Sequence, residues 1–192
     1  MRIWTTQTIG FWNQLQEQGV AYCDTAKSWG AREDDMKEAY DWMAAQMLKR
    51  IGPPPRSEIR YPIWGYQQVG SYKKEYHGSY SVCGGEDDEF VFMTVNVPDE
   101  MVLLSDFDMW HHVLNHWCIA RNKKEETDDD ALIVKSWDLI FDFDTIHWCA
   151  NRRRRNRWIQ ACFWELRREW VTEWHCIKGY QRWLQREKEK RG

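Results

Sequence analysis

The stretch that decides the fold is residues 90–118, FVFMTVNVPDEMVLLSDFDMWHHVLNHWC. Val91, Met93, Val95 and Val97 alternate with Phe92, Thr94 and Asn96, the two-residue period of a strand with one buried face. Pro98, Asp99 and Glu100 turn the chain. Residues 101–104 (MVLL) form a short, continuous apolar run, which predicts a central strand paired with the first. Ser105 and Asp108, three positions apart, approximate a capping box. Beyond them Phe107, Trp110, Leu114 and Trp117 recur at helical spacing, with His111 expected on that inner face. His112 and His116 fall on a different face. The order is strand, turn, strand and capped helix.

Upstream, residues 2–7 (RIWTTQ) read as a first strand with a polar end. Thr8 can cap a helix carrying Phe11, Trp12 and Leu15, and Gly19 suits its left-handed end. Residues 20–22 resume an extended segment. A stronger helix is predicted over residues 33–50, where Met36, Tyr40, Met43, Met47 and Ile51 make one apolar stripe. Acidic residues open it, Lys49 and Arg50 close it, and Gly52-Pro53-Pro54-Pro55 stops it. A methionine stripe can be a plastic binding face, but at this spacing a core is the plainer account. Residues 59–66 (IRYPIWGY) read as a strand, and Pro62 within it argues for an edge position or an irregular strand. Residues 67–89 are polar and glycine-bearing, the signature of a long loop of the kind that often carries function.

Downstream, residues 121–130 are a charged connector. Residues 131–148 predict a helix with Ile133, Trp137, Ile140 and Phe141 inward. The basic run at 151–157 precedes a late strand at 158–166. A second extended piece at 170–177 is expected to pair with that strand through Arg167-Arg168-Glu169. Residues 181–192 are highly charged and are expected to fray. The whole reads as one compact α+β domain over residues 1–180. Its mixed, mostly antiparallel sheet should have about five to six strands, packed with three to four helices.

At 192 residues the chain can bury a real core. A net charge of −3 excludes bulk binding to nucleic acid or anionic membrane. Fourteen Trp are read first as packing, because each ring buries a large area. The six Cys are scattered with no CxxC pair, so a thiolate zinc site is not expected and reduced thiols are. No apolar run approaches the ~18 residues of a bilayer span. A cytoplasmic protein is expected.

Four signals could carry chemistry. Asp108, His112 and His116 follow one another at i+4 spacing, but the outer two lie roughly 12 Å apart along a helix axis. With no Glu in a HExxH arrangement, a polar outer face explains them and no metal is expected. His111, with Asp106, sits at a strand-to-helix junction, where free backbone donors favour ligand contact. An inward His that is merely hydrogen-bonded in the core is the alternative. Glu165 shares a strand face with Ile159, Ala161 and Phe163. There it is either a desolvated, functional carboxylate or the partner of an Arg at 152–157, 167 or 168. The fourth signal is Arg152–Arg155 and Arg157 beside Trp158, which could serve phosphate contact and base stacking, or simply be a solvated connector. The chain has no GxxxxGK[ST], GxGxxG or GxSxG, so P-loop and serine-hydrolase chemistry are unsupported.

The block VNVPDEMVLLSDFDMWHHVLN resembles the signature of a bacterial family known as domain of unknown function 3841. IWTTQT with FWNQLQEQG, AYDWMAAQM with YPIWGY, and QACFWELRREWV are similar to its other blocks; residues 67–89 are not. The resemblance covers nearly the whole chain and implies a small bacterial, cytoplasmic, stand-alone domain. The layout is also similar, by analogy alone, to ADP-ribosyltransferase-like folds. That analogy implies Thr5 and Gln7 facing a nicotinamide ribose, Tyr61 or Trp64 stacking, and Glu165 orienting the ribose hydroxyl.

The leading expectation is therefore binding of, or transfer or hydrolysis on, a nucleotide-like substrate such as NAD, with Glu165, His111 and Asp106 as the catalytic candidates lining the cleft. The rival is a non-enzymatic interaction module using exposed Trp and the 67–89 loop against a protein. A third, less favoured, is nucleic-acid contact through Arg152–Trp158. The residues alone do not decide between enzyme and binding module.

Overall fold

The computed structural model describes residues 1–24, 34–70, 89–144 and 157–178. The organising strand is β4 (Glu89–Asn96), whose apolar alternation is the one expected. It lies between β1 (Arg2–Thr8) and β8 (Val171–Lys178), antiparallel to both. With β3 (Ile63–Gln68), β5 (Leu103–Asp106) and β6 (Ile159–Phe163), these strands form a six-stranded sheet in the order β5-β6-β3-β1-β4-β8. A second sheet pairs β2 (Val20–Tyr22) with β7 (Glu165–Arg167).

Both faces of the large sheet are covered. Val91, Met93 and Val95 join Ile3, Ile63, Ala161 and Phe163 in one core, closed by Leu15 of α1 (Ile9–Gln18), Ala21 of β2 and Leu166 of β7. On the opposite face, Leu103 and Cys162 lie under three helices. Met43 and Met47 come from α2 (Asp34–Ile51), Met109 and Trp110 from α3 (Phe107–Leu114), and Ile133 from α4 (Asp130–Ser136). Trp137 and Ile140, on a 3-10 segment after α4, complete this second core. The α+β expectation stands, with four helices among the described residues. None of them is long and apolar enough to cross a membrane.

The helix signals at the N-terminal end hold locally. Thr8 Oγ1 accepts from Phe11 N at 3.2 Å, and Gly19 ends α1 at φ 73°, a region that favours glycine. Met43 and Met47 of the expected α2 stripe are fully buried, so the stripe is core.

Pairing partners differ from expectation in three places. Among the described residues, β5 is an edge strand bonded to β6 alone and does not touch β4 in the sheet. Its apolar run reflects cover on both sheet faces, which an edge strand can share with a central one. β3, in contrast, is central, because Pro62 falls before the strand begins and no ladder donor is lost. The late strand is broken at Trp164, whose indole N–H donates to Gly52 O at 3.0 Å. Its second half becomes β7 in the small sheet, and β8 pairs with β4 instead of with the late strand. The expected helix beyond residue 141 is absent through residue 144. The basic run at 151–156, most of the 67–89 loop and the tail at 181–192 lie outside the described residues.

β1 and β3 approach closely at Gly65. A Cβ there would stand 2.6 Å from Ile3 Cγ2 and 2.8 Å from Trp4 O. Because the Trp4 carbonyl is held in the ladder, Gly65→Ala should destabilise the protein by about 3 kcal/mol, an overpacking cost measured by urea denaturation.

Candidate functional site

The site is built where α3 begins. The chain leaves β5 at Asp106, and this residue, not Ser105, caps the helix. Its Oδ1 accepts from Asp108 N at 2.9 Å and Met109 N at 3.2 Å. Its Oδ2 lies 2.8 Å from Arg157 Nε, with both side chains buried. Arg157 Nη1 donates to Phe143 O at 2.9 Å, and Gln68 Nε2 donates to Arg157 O at 2.9 Å. Phe107 N also bonds Trp158 O at 3.0 Å. The start of α3 is thus clamped to the chain leading into β6. Ser105 cannot cap because it is still a strand residue, paired with Gln160 and wholly buried.

The buried face of α3 is Met109, Trp110 and Val113, with Leu114 partly buried against the same core. His111 is exposed, with Nδ1 2.8 Å from Phe107 O. The helix ends at Leu114, so Trp117 lies beyond it and is 56% exposed. The other histidines go to separate partners. His112 Nδ1 lies 3.3 Å from Cys118 O, and His116 Nδ1 lies 3.0 Å from Glu38. No group among the described residues is arranged to hold a metal ion.

Between the sheet and helices α2 and α3 lies a pocket of about 200 Å³. Its walls are Tyr40 of α2, Trp64 and Tyr66 of β3, and Phe107 and Trp110 of α3. Trp64 and Tyr66 share a side because strand residues two apart do. Trp64 and Trp110 have centroids 4.9 Å apart at 33°, and Tyr40 meets each of them edge-on, at 5.5 and 5.8 Å. Tyr66 meets Phe107 edge-on at 5.4 Å. Such offset and edge-on pairs hold the rings in place without filling the space between them.

The remaining lining comes from Thr5, Thr6, Gly65 and Gln160, so among the described residues no carboxylate, ammonium, guanidinium or imidazole lines the pocket. Gln160 is 3% exposed and its Nε2 donates to Ser105 Oγ at 2.8 Å. Among the described residues, neither its Oε1 nor the Tyr40 hydroxyl has a hydrogen-bond partner. Burial pushes the Tyr40 phenol up to about 12, and the thiols of Cys23 and Cys162 push in the same direction. Thr5 Oγ1 donates to Trp64 O at 2.7 Å and accepts from Gln7 Nε2 at 2.8 Å.

Of the residues singled out from sequence, Thr5 and Trp64 therefore meet in the pocket, and Gln7 stands behind Thr5. Tyr61 lies outside, donating to Asp41 Oδ1 at 2.7 Å. That bond and those from Lys37 and Arg60 hold the Asp41 carboxyl below its ordinary range, against the opposing effect of burial. Glu165 is buried on β7, paired with Arg167 Nε at 2.8 Å, which is the ion-pair alternative. Asp106 adjoins Phe107 but faces Arg157. Tyr40, Tyr66, Phe107, Trp110 and Gln160 were not singled out as ligand contacts. Two carried a signal: Tyr40 is the one hydroxyl in the α2 stripe, and Gln160 is a lone amide in an apolar strand.

Two outcomes follow. Arg157→Met leaves the Asp106 carboxylate buried with no counter-charge, and urea denaturation should show a loss of about 3–5 kcal/mol. Tyr40 carries a folded-state pKa above its unfolded value, so its contribution is complete below pH ~10 and lost as pH rises toward about 12. Across that window wild type should lose on the order of 2 kcal/mol more stability than Tyr40→Phe.

The described pocket lies almost wholly within a segment that matches a known family. Residues 2–131 match the family described as Domain of unknown function (DUF3841), and Gln160 alone among the lining residues falls beyond the match. No curated protein and no solved structure matches the chain. With about two-thirds of its length matched, the chain belongs to the DUF3841 family.

Proposed function

We propose that this chain is a binding domain for a nucleotide-like ligand whose planar ring sits among Tyr40, Trp64 and Trp110, NAD being the candidate named from sequence. The observation that carries the reading is the pocket itself: five aromatic side chains around a space with a buried amide at its wall and no charged group among the described lining residues. Stacking on aromatic faces is the general means of holding a base or a nicotinamide. At about 200 Å³ the pocket falls below the roughly 300–1,000 Å³ of sites that enclose a whole drug-sized ligand. It suits one ring system, with ribose and phosphates outside.

Binding is better supported than ADP-ribosyl transfer. Transfer would require a carboxylate at the ribose, and Glu165 does not line the pocket; neither do His111 and Asp106. Among the described residues, Cys118, Cys162 and Cys176 are free thiols, which suits a bacterial cytoplasmic setting. A protein-interaction role has its own support in the exposure of Trp117 and Trp174, 56% and 53%. Nucleic-acid contact is weakened, because Arg157 is buried against Asp106.

Calorimetric titration with NAD, nicotinamide, adenosine and ATP tests the reading. At least one should bind, and Trp64→Leu should weaken it roughly 5- to 150-fold, the range for losing one stacking platform. Silence from all four in wild type would remove the reading and leave the interaction module.

A further inference from the structure

Gln160 occupies a place that a packing role does not explain. It stands on β6 with Tyr66 opposite on one side and Ser105 on the other. Ser105 is wholly buried, Tyr66 is half-buried, and Gln160 is itself 3% exposed. One amide hydrogen goes to Ser105 Oγ at 2.8 Å. Its Oε1 and second amide hydrogen have no partner among the described residues, and the side chain lines the aromatic pocket. A buried amide carbonyl left unsatisfied is a cost that an apolar residue of the same size would avoid. A ligand that completes the amide removes that cost.

Resting on the reading of the pocket as a ring-binding site, we infer that Gln160 is its specificity-determining residue. The pocket selects an uncharged planar ring whose edge carries a hydrogen-bond donor beside an acceptor. The free half of an amide presents an acceptor and a donor side by side, and two ligand edges match it with two parallel hydrogen bonds. One is a primary carboxamide, as on nicotinamide. The other is the amino-imine edge of adenine, which Gln meets in the same way in nucleic-acid recognition. A ring lacking the donor leaves Gln160 Oε1 unfilled. A ring bearing a carboxylate buries a negative charge where no cation lines the wall among the described residues.

Paired titrations on the full chain test this and identify the edge. Nicotinamide is compared with nicotinate, which carries a carboxylate in place of the amide. Adenosine is compared with purine riboside, which lacks the 6-amino group. One cognate ring should bind at least roughly tenfold more tightly than its counterpart, since sites built around a hydrogen bond discriminate strongly against analogues lacking it. Whichever pair shows the difference identifies the edge. Gln160→Met should bring that pair to within roughly twofold while stacking still holds both rings. Equal binding within both pairs by wild type overturns the inference and leaves the ring-binding reading intact. No binding of any ring overturns both. Should Gln160→Met not fold, the wild-type ratio stands as the test, together with the Gln160 side-chain amide resonances. These should move with the cognate ring, and resonances that stay fixed in the bound state overturn the proposal.

Discussion

The buried pair of Asp106 and Arg157 is the constraint on which the pocket depends. One carboxylate does two things at once: it caps α3 through Oδ1 and holds the guanidinium through Oδ2. Two charges removed from water are tolerable only when nearly every lone pair and proton has a partner. Here the backbone of α3 and the Phe143 carbonyl supply the additional partners. The consequence is geometric. The first turn of α3 is held against the start of β6, which sets Phe107 and Trp110 over Trp64 and Tyr66.

The pocket that results is aromatic, neutral and only partly satisfied. Its rings contact one another at 4.9–5.8 Å, so they are positioned before any ligand arrives. Preorganisation of this kind lowers the entropy that a ligand must offset on binding. With no ionised group among its described lining residues, selection rests on shape and on hydrogen bonds. That shifts attention from Glu165 and His111, which drew it in the sequence because they titrate. Glu165 faces Arg167, and His111 faces the backbone of its own helix.

Much of the fold was legible where the signal is local. The alternation at 91–97, the cap at Thr8, the turn at Gly19 and the stripe containing Met43 and Met47 each depend on residues a few positions apart. Strand pairing was not legible in the same way. The apolar run before Ser105 describes burial, and burial on both faces is common to central and edge strands of a covered sheet. The alternation at 158–166 gave no warning that Trp164 would break it, because the break depends on a bond to Gly52, 112 residues away. Of the site, Thr5 and Trp64 were anticipated. Tyr40 and Gln160 were absorbed into a core stripe and an apolar strand, where a hydroxyl or an amide looks like an incidental exception.

By itself, then, the sequence determined the kind of most elements and most of the residues removed from water, though Trp117 and His111, expected inside, are exposed. Hydrophobic period, caps and breakers act over one or two turns and need no distant partner. Only the tertiary structure decided which strands meet, which face of α3 looks inward and which polar groups are left unsatisfied. Those outcomes depend on contacts between residues far apart in the chain: Asp106 with Arg157, Gln160 with Ser105, and Tyr40 with Trp64. A pocket is a property of such contacts, which is why its walls come from β1, α2, β3, α3 and β6 together.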